Sequence, residues 1–181
     1  KRIKECKFEV ACDVNNSPIG PEGASAIYGP QKGATVDMIA KLDEALMHFA
    51  EIVKQDIGVD INNIRGSGAA GGLGGGMVAF LDGRLRSGVD IVLDIVGLNK
   101  QLEGSHLVIT GEGCMDYQTV YNKAPIGVAN RAKSKGIPVV AVSGSLGVGY
   151  EQVHDHGIVA CVGITSAPMS LDEASERAFD L

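Results

Sequence analysis

A polar segment of the sequence, TGEGCMDYQTVYNK, concentrates the residues best suited to chemistry: Glu112, Asp116, Gln118, Thr119 and Lys123, all just before a predicted helix. Carboxylates can hold Mg²⁺ or take a proton from a hydroxyl, and a lysine can balance the charge of a phosphate. A solvated polar loop in which Asp116 makes a local turn explains the same residues. The residues alone leave both interpretations open.

A glycine-rich run, RGSGAAGGLGGG, contains Gly66, Gly68 and Gly71 at the spacing G-x-G-x-x-G. A dinucleotide-binding fingerprint also needs a preceding strand, a following helix and an acidic residue about twenty positions later. NNIR is a poor strand ending, and nothing marks Asp90 as the end of a second strand. An NAD-dependent oxidoreductase is therefore the weakest hypothesis. The glycines and Ser67 could instead bind an anion through backbone N–H groups, or let helices pack closely.

Two more glycine-containing loops are candidates for anion binding. GPQKGAT carries Gln31 and Lys32 immediately before the first long predicted helix, where a lysine can reinforce an anion site. Such a lysine is more often simply hydrated. GSLGVG, at 144–149, stands at a predicted strand-to-helix junction.

Apolar periodicity predicts the elements that must position these loops. FEVACDV is predicted as a strand, and a polar, Gly/Pro-rich loop follows it from Asn15 to Gly33. The clearest helix runs from a Thr35 cap to a stop at Gly58. Its apolar stripe is most simply a core face and consists of Ile39, Leu42, Leu46, Phe49, Ala50 and Val53. VDIVLDIVGL is compatible with either a strand or a buried helix. Strands and helices then alternate: HLVIT, a helix over Pro125–Lys135, IPVVAVS, the short helix YEQVHDHG, IVACVGI and the closing helix LDEASERAF.

This alternation predicts an α/β fold, a three-layer α/β/α arrangement with a mostly parallel sheet and right-handed crossovers. Ligands of such folds bind beyond the carboxyl ends of the strands. Three predicted loops lie at those ends: Thr110 to Lys123, Ser143 to Gly149, and Thr165 to Ser170.

Composition excludes several classes of protein. Of the 181 residues 45% are hydrophobic, which is enough for a real core, and the net charge is −6. An acidic chain without a basic stripe argues against a nucleic-acid partner. The sequence shows no signal peptide and no long apolar run, so we expect no membrane association. The four cysteines form no C-x-x-C pair, which favours a reduced, cytoplasmic protein.

Taken in order, the motifs resemble one family. ACDVNN, GPQKGA, GSGAAGGLGGG, TGEG with its following D and QT, and the K-x-P-x-G-V-A-x-x-A-K block are similar to the bacterial type 1 glycerate kinases. The resemblance runs from about Cys6 to Asp180. GPQKGA and the TGEG block are far more specific than the glycine run.

The resemblance implies ATP-dependent phosphorylation of D-glycerate to a phosphoglycerate, with Mg²⁺ required. It implies a two-domain fold, with an α/β domain inserted into a Rossmann-like or flavodoxin-like one. Family members are much longer, so this chain resembles their carboxyl-terminal portion, with 1–100 in the inserted domain and 101–181 in the Rossmann-like one. An isolated fragment of this kind is expected to be inactive, or to bind ligand without turnover, and a homodimer stays open.

Residues and resemblance together give a set of expected site residues. Asp116 and Lys123 are expected to be catalytic, and Glu112 with Asp116 to hold Mg²⁺. The expected substrate- or phosphate-binding residues are Gln31, Lys32, Gly66, Ser67, Gly68, Gly71, Gly111, Glu112, Gly113 and Gln118, and Asp13 also occupies a motif position.

Two positions depart from the family pattern. The family usually has arginine where this chain has Cys114, and glycine where it has Asn122. A thiol cannot replace the planar, bidentate donor that an arginine offers to phosphate. The departure at Cys114 therefore bears on the efficiency of phosphoryl transfer or on substrate preference.

Overall fold

The strands of this protein pair in parallel in a computed structural model that describes residues 2–121, 123–165 and 167–181. The chain divides into two units between Ile91 and Val92. Parallel strands joined through helices confirm the predicted α/β class. The strands are β1 (Glu9–Ala11), β2 (Arg84–Arg86), β3 (Val108–Thr110), β4 (Cys114–Met115), β5 (Val139–Ser143), β6 (Ser145–Leu146) and β7 (Ile158–Gly163).

Seven α-helices are described, and short 3-10 helices supplement them. The α-helices are α1 (Ala24–Tyr28), α2 (Val36–Ile57), α3 (Ala69–Leu81), α4 (Gly88–Ile95), α5 (Leu98–Gln101), α6 (Ala124–Lys133) and α7 (Leu171–Glu176). The 3-10 helices are Arg2–Glu5, Pro30–Lys32, Ile61–Asn63 and Tyr150–His156. The ambiguous segment VDIVLDIVGL thus forms helix α4 and the start of α5. Within the described residues, the helices are too short or too polar to cross a lipid bilayer.

Helix α2 begins and ends where the sequence predicts. The Thr35 side chain accepts a hydrogen bond from the Met38 amide at 3.3 Å, which satisfies one free N–H group of the first turn. At the other end Gly58 takes a left-handed conformation with φ 82°, which glycine adopts without a steric penalty. Capping residues therefore set the bounds of this helix.

The apolar stripe of α2 is buried only in its carboxyl-terminal half. Ala50 and Val53 are each 2% exposed and pack with Ile61 in the core of the first unit. Leu42, which the same periodicity places on this stripe, is 47% exposed. The prediction of a continuous core face is therefore confirmed for the second half of the helix alone, and the first half lines a surface groove.

The second unit contains the sheet β3–β5–β7. Helix α6 connects β3 to β5, and the 3-10 helix Tyr150–His156 connects β5 to β7. The core beneath this sheet is apolar, and its largest fully buried side chains are each at most 1% exposed: Met115, Ile126, Val139, Val153 and Ile158. Cys161 on β7 is partly buried against this core, and burial raises the pKa of its thiol.

Candidate active site

The segment 110–123 continues from the carboxyl end of β3. Soon after that end it pairs with the segment that follows β5. Cys114 and Met115 of β4 pair in parallel with Ser145 and Leu146 of β6. Backbone hydrogen bonds continue this pairing, among them Gly147 N–H to Met115 O at 2.7 Å. Two of the three loops predicted at the ligand-binding edge are thereby brought together. The third, 165–170, includes Ser166, which lies outside the described residues.

Three predicted site residues meet in this segment, and we call them the carboxylate–lysine cluster: Glu112, Asp116 and Lys123. Lys123 Nζ lies 3.7 Å from Glu112 Oε2 and 3.6 Å from Asp116 Oδ1. The side chains are 37% exposed for Lys123, 17% for Glu112 and 25% for Asp116. The cluster is thus half-buried and reachable by a ligand, and one ammonium group lies within 4 Å of both carboxylates.

Asp116 is also a turn residue, as the alternative interpretation expects. Its Oδ1 accepts a hydrogen bond from the Gln118 amide at 2.9 Å, and its carbonyl accepts one from the Thr119 amide at 3.0 Å. The turn fixes the side chain without removing it from the cluster. Gln118 itself is exposed, and its side-chain amide donates to the Tyr117 hydroxyl at 3.1 Å.

Thr119 belongs to the same polar segment, where its residue type alone indicates no role. It is fully buried, its hydroxyl donates to Glu112 Oε1, and its oxygen accepts from the Asp116 amide at 3.0 Å. The spacing D-x-x-T is typical of local side-chain-to-backbone turns, so this signal was present in the sequence. What the sequence could not show is that the same hydroxyl reaches Glu112.

The two carboxylates form a donor set that fits Mg²⁺. Glu112 Oε2 and Asp116 Oδ1 both face one cationic group, the Lys123 ammonium, so their oxygens already converge on positive charge. Mg²⁺ in phosphate-transfer sites takes one or two carboxylates and completes its shell with phosphate oxygens and water. Among the described residues no group of three or more histidines, cysteines and carboxylates is placed to hold a metal ion.

Helix α6 begins directly after the cluster. Lys123 is its N-cap residue, and the Lys123 carbonyl accepts hydrogen bonds from the amides of Ile126 and Gly127 at 3.1 Å each. Ile126, Ala129 and Ala132 fix the helix against the core at helical spacing. The amino-terminal end of a ten-residue helix and a lysine both carry positive charge, and this combination favours an anion there.

The glycines of TGEG have unequal surroundings. A Cβ atom on Gly111 would lie 2.0 Å from the carbonyl oxygen of Val142, whereas nothing lies within 4 Å of a Cβ atom on Gly113. A Cβ atom on Gly144 would likewise lie only 2.4 Å from the Gly113 carbonyl oxygen. Gly111 and Gly144 are therefore required for the close approach of the two segments.

In the first unit, Lys32 and Gly71 lie together on a groove of about 420 Å³. The groove is mainly apolar and is walled by α1, by the first half of α2 and by the 3-10 helix Pro30–Lys32. Gln31 belongs to that 3-10 helix and is exposed, as is Lys32. These residues are accessible to a ligand, and their assignment to substrate or phosphate binding stays a prediction.

Gly66, Ser67 and Gly68 are buried, and their contacts are with the protein itself. Ser67 Oγ lies 2.6 Å from the carbonyl oxygens of both Ile61 and Ile64. A Cβ atom on Gly68 would lie 2.1 Å from the Ser17 carbonyl oxygen. This placement favours the close-packing interpretation of the glycine run, and the phosphate-binding assignment of these three residues remains a prediction.

The residues before Gly66 form the 3-10 helix Ile61–Asn63 and not the strand that a dinucleotide fingerprint requires. After Gly68, Ala70, Gly71 and Gly72 all have positive φ, so α3 is interrupted in its first turn. Helix α3 therefore has a left-handed kink in its first turn, and its regular part begins after Gly72. The structure gives the NAD-dependent hypothesis no support.

A pair of glycine substitutions separates packing from flexibility in this run. We expect Gly68→Ala to lower the free energy of unfolding by about 2–3 kcal/mol, because its methyl group would overlap a backbone oxygen. We expect Gly76→Ala, inside α3 with its nearest atom at 4.0 Å, to raise it by up to about 1 kcal/mol through helix propensity. Urea unfolding followed by circular dichroism measures both. Equal effects would contradict the packing role.

Of the two positions at which this chain departs from the family pattern, the structure describes one. Cys114 is the first residue of β4 and is exposed, with its sulfur on the same segment as the carboxylate–lysine cluster. Asn122 lies outside the described residues.

Asp13, which occupies a motif position, accepts a hydrogen bond from the Gly88 amide at 2.9 Å, at the start of α4.

Comparisons with known proteins agree with one another. A model of the glycerate kinase family matches residues 1–181. A glycerate kinase of Halalkalibacterium halodurans is 51% identical over 180 residues, which are 99% of this chain and 47% of that protein. The glycerate 2-kinase of Escherichia coli K12 is 46% identical over 179 residues, covering 99% of this chain and 47% of its own length.

A solved structure shares the fold. A crystal structure assigned as glycerate kinase 2 from Salmonella typhimurium LT2 superposes with a TM-score of 0.79 at 44% identity, over 98% of this chain and 46% of that one. The chain therefore spans about half the length of the curated relatives it matches. This similarity confirms the fold class and the resemblance found in the motifs. The chain belongs to the glycerate kinase family.

Proposed function

We propose that this chain supplies the carboxylate–lysine cluster of an enzyme that transfers phosphate from ATP to D-glycerate. One observation carries the proposal: Glu112, Asp116 and Lys123 converge at the carboxyl end of parallel strands. Parallel α/β folds bind their ligands at that edge. The names of the relatives, glycerate kinase and glycerate 2-kinase, supply the substrate.

The cluster has the charges that phosphoryl transfer needs. Such reactions depend on in-line positioning and on neutralising charge on the transferred group. In the proposed step a glycerate hydroxyl oxygen bonds to the γ-phosphorus of ATP, the bond to the leaving ADP oxygen breaks, and the hydroxyl proton passes to Asp116. Lys123, with Nζ 3.6 Å from Asp116 Oδ1, is placed to stabilise the transferred phosphoryl group.

Glu112 and Asp116 would hold Mg²⁺, which supplies charge neutralisation at the phosphate oxygens. One oxygen of Asp116 suffices for that contact and leaves the other for the glycerate hydroxyl. Lys32 and the exposed Gly71 lie on the groove of the first unit, and we propose that this groove itself binds substrate or phosphate. Four free cysteines support a reducing, cytoplasmic location.

The domain assignment stays a prediction. Residues 1–100 are proposed to belong to the inserted domain and 101–181 to the Rossmann-like domain. The chain divides into two units between Ile91 and Val92, but this division does not identify either unit as the inserted or the Rossmann-like domain. The alternative function, a fragment that binds ligand without turnover, applies to the chain by itself, because it matches only 47% of its relatives.

The test uses two proteins, the chain alone and a fusion enzyme. In the fusion enzyme, this chain replaces the 180 matching residues of the Halalkalibacterium halodurans glycerate kinase. We expect ATP- and Mg²⁺-dependent formation of phosphoglycerate from D-glycerate by the fusion enzyme and none by the chain alone. Identification of the product by ³¹P NMR also distinguishes 2- from 3-phosphoglycerate. A correctly folded fusion enzyme that does not phosphorylate glycerate would overturn the proposal.

A further inference from the structure

Thr119 joins the carboxylate of Glu112 to the backbone of Asp116 through a single buried hydroxyl group. The residue is 0% exposed. Its hydroxyl group forms a hydrogen bond with Glu112 Oε1, and the Asp116 amide nitrogen lies 3.0 Å from the threonine Oγ1. A backbone N–H can only donate, so the threonine oxygen is the acceptor there. The one hydroxyl proton is therefore directed at Glu112.

We propose that Thr119 is a positioning residue for phosphoryl transfer, which holds Glu112 and Asp116 in register with Lys123. This inference rests on the proposed function. The hydroxyl fixes the backbone of Asp116 from one side and the carboxylate of Glu112 from the other. Glu112 Oε2 then lies 3.7 Å, and Asp116 Oδ1 3.6 Å, from Lys123 Nζ.

Loss of the hydroxyl would affect both acidic residues at once, Glu112 through its carboxylate and Asp116 through its backbone amide. Glu112 is 17% exposed, so without Thr119 its Oε1 would lose a donor in a largely desolvated position and the side chain would turn toward water. The Asp116 amide would lose its acceptor. The Asp116 carboxylate would keep its bond from the Gln118 amide, so the turn itself would persist.

Two substitutions distinguish positioning from packing. Thr119→Val keeps the shape and removes the hydroxyl, whereas Thr119→Ser keeps the hydroxyl and removes a methyl group. In the fusion enzyme we expect Thr119→Val to lower kcat at least about tenfold, with KM for ATP and for glycerate changed less than about threefold. We expect Thr119→Ser to restore kcat to within about threefold. Ser134→Ala, which removes an exposed hydroxyl group at the carboxyl-terminal end of α6, is the control and should leave kcat unchanged.

A second measurement on the chain itself needs no substrate. Amide hydrogen exchange at Asp116, read by NMR, should accelerate at least about tenfold in Thr119→Val and stay near the original rate in Thr119→Ser, because only valine lacks the acceptor.

The two measurements distinguish a failure of the positioning role from a failure of the proposed function. Full kcat in Thr119→Val, or an equal loss in Thr119→Ser, would overturn the positioning role. An inactive fusion enzyme before any substitution would overturn the proposed function. In that case unaltered exchange at Asp116 in Thr119→Val would still overturn the positioning of this segment by Thr119, and accelerated exchange would support it.

Discussion

Replacing Lys123 with alanine is expected to lower kcat of the fusion enzyme by roughly 10²-fold or more, which is the usual cost of removing one preorganised charge contact to a transition state. Lys123 Nζ is within 4 Å of both Glu112 and Asp116. Removing the ammonium leaves two carboxylates close to an incoming polyphosphate. Their repulsion opposes nucleotide binding and, more strongly, the charge that develops during transfer. Steady-state kinetics with varied ATP and varied glycerate separate these two effects.

Lys135→Ala is the matched control for this prediction. Lys135 is exposed just beyond the carboxyl-terminal end of α6, whereas Lys123 is the N-cap of the same helix. Its removal changes the net charge equally and should leave kcat within about twofold, as for an ordinary surface residue. If both lysine variants keep full kcat, Lys123 has no part in the transfer step.

Gly111→Ala is expected to lower the free energy of unfolding of the chain by about 3 kcal/mol. The added methyl carbon would lie 2.0 Å from the Val142 carbonyl oxygen, a backbone atom of the neighbouring strand that cannot move without disturbing the β3–β5 pairing. For a chain of this size the expected decrease in Tm is about 6–12 °C. The chain contains no tryptophan, so far-UV circular dichroism is the appropriate probe.

Gly113→Ala supplies the control two residues away in the same motif. Nothing lies within 4 Å of a Cβ atom there, so we expect a change within about 0.5 kcal/mol. The pair therefore tests whether close approach of β3 and β5, rather than backbone freedom of the loop, requires the first glycine. Equal destabilisation by both substitutions would refute that explanation.

Local signals in the sequence were sufficient to predict the longer elements. Helix α2 has a threonine cap, a glycine stop and regular apolar spacing, and its bounds agree with them. Strand β5 and strand β7 were predicted from runs of valine, isoleucine and alanine. These features act within a few residues along the chain, so they are visible without knowledge of the tertiary structure.

Elements that depend on distant partners were not predicted. Strand β2 has the sequence RLR, whose alternation is polar and too short to indicate a strand, and it exists because β1 pairs with it. Helix α1 is five residues long and lay inside a segment expected to be a loop. The exposed Leu42 was assigned to the core for a related reason: periodicity identifies an apolar stripe without showing what covers it.

The site divides in the same way. Glu112, Asp116 and Lys123 were predicted from residue type and from their place after a strand. Their distances depend on the β4–β6 pairing, which joins segments about thirty residues apart and has only two residues per strand. The local pattern D-x-x-T indicates the hydrogen bond between the Asp116 amide and Thr119. It does not indicate the hydrogen bond from Thr119 to Glu112, which needs that same tertiary arrangement.

If the carboxylate–lysine cluster transfers phosphate to glycerate, Asp116→Asn in the fusion enzyme removes the group that takes the proton from the glycerate hydroxyl. Asparagine keeps the size of the side chain and an oxygen acceptor for the Gln118 amide, but it cannot take a proton from glycerate. Asp155→Asn, at an exposed position of the 3-10 helix Tyr150–His156, is the matched control.

We predict that phosphoglycerate formation by Asp116→Asn falls roughly 10²-fold or more at unchanged Tm, while Asp155→Asn retains full activity. Equal rates of phosphoglycerate formation in the unsubstituted fusion enzyme and in Asp116→Asn would contradict the assignment of catalysis to this cluster.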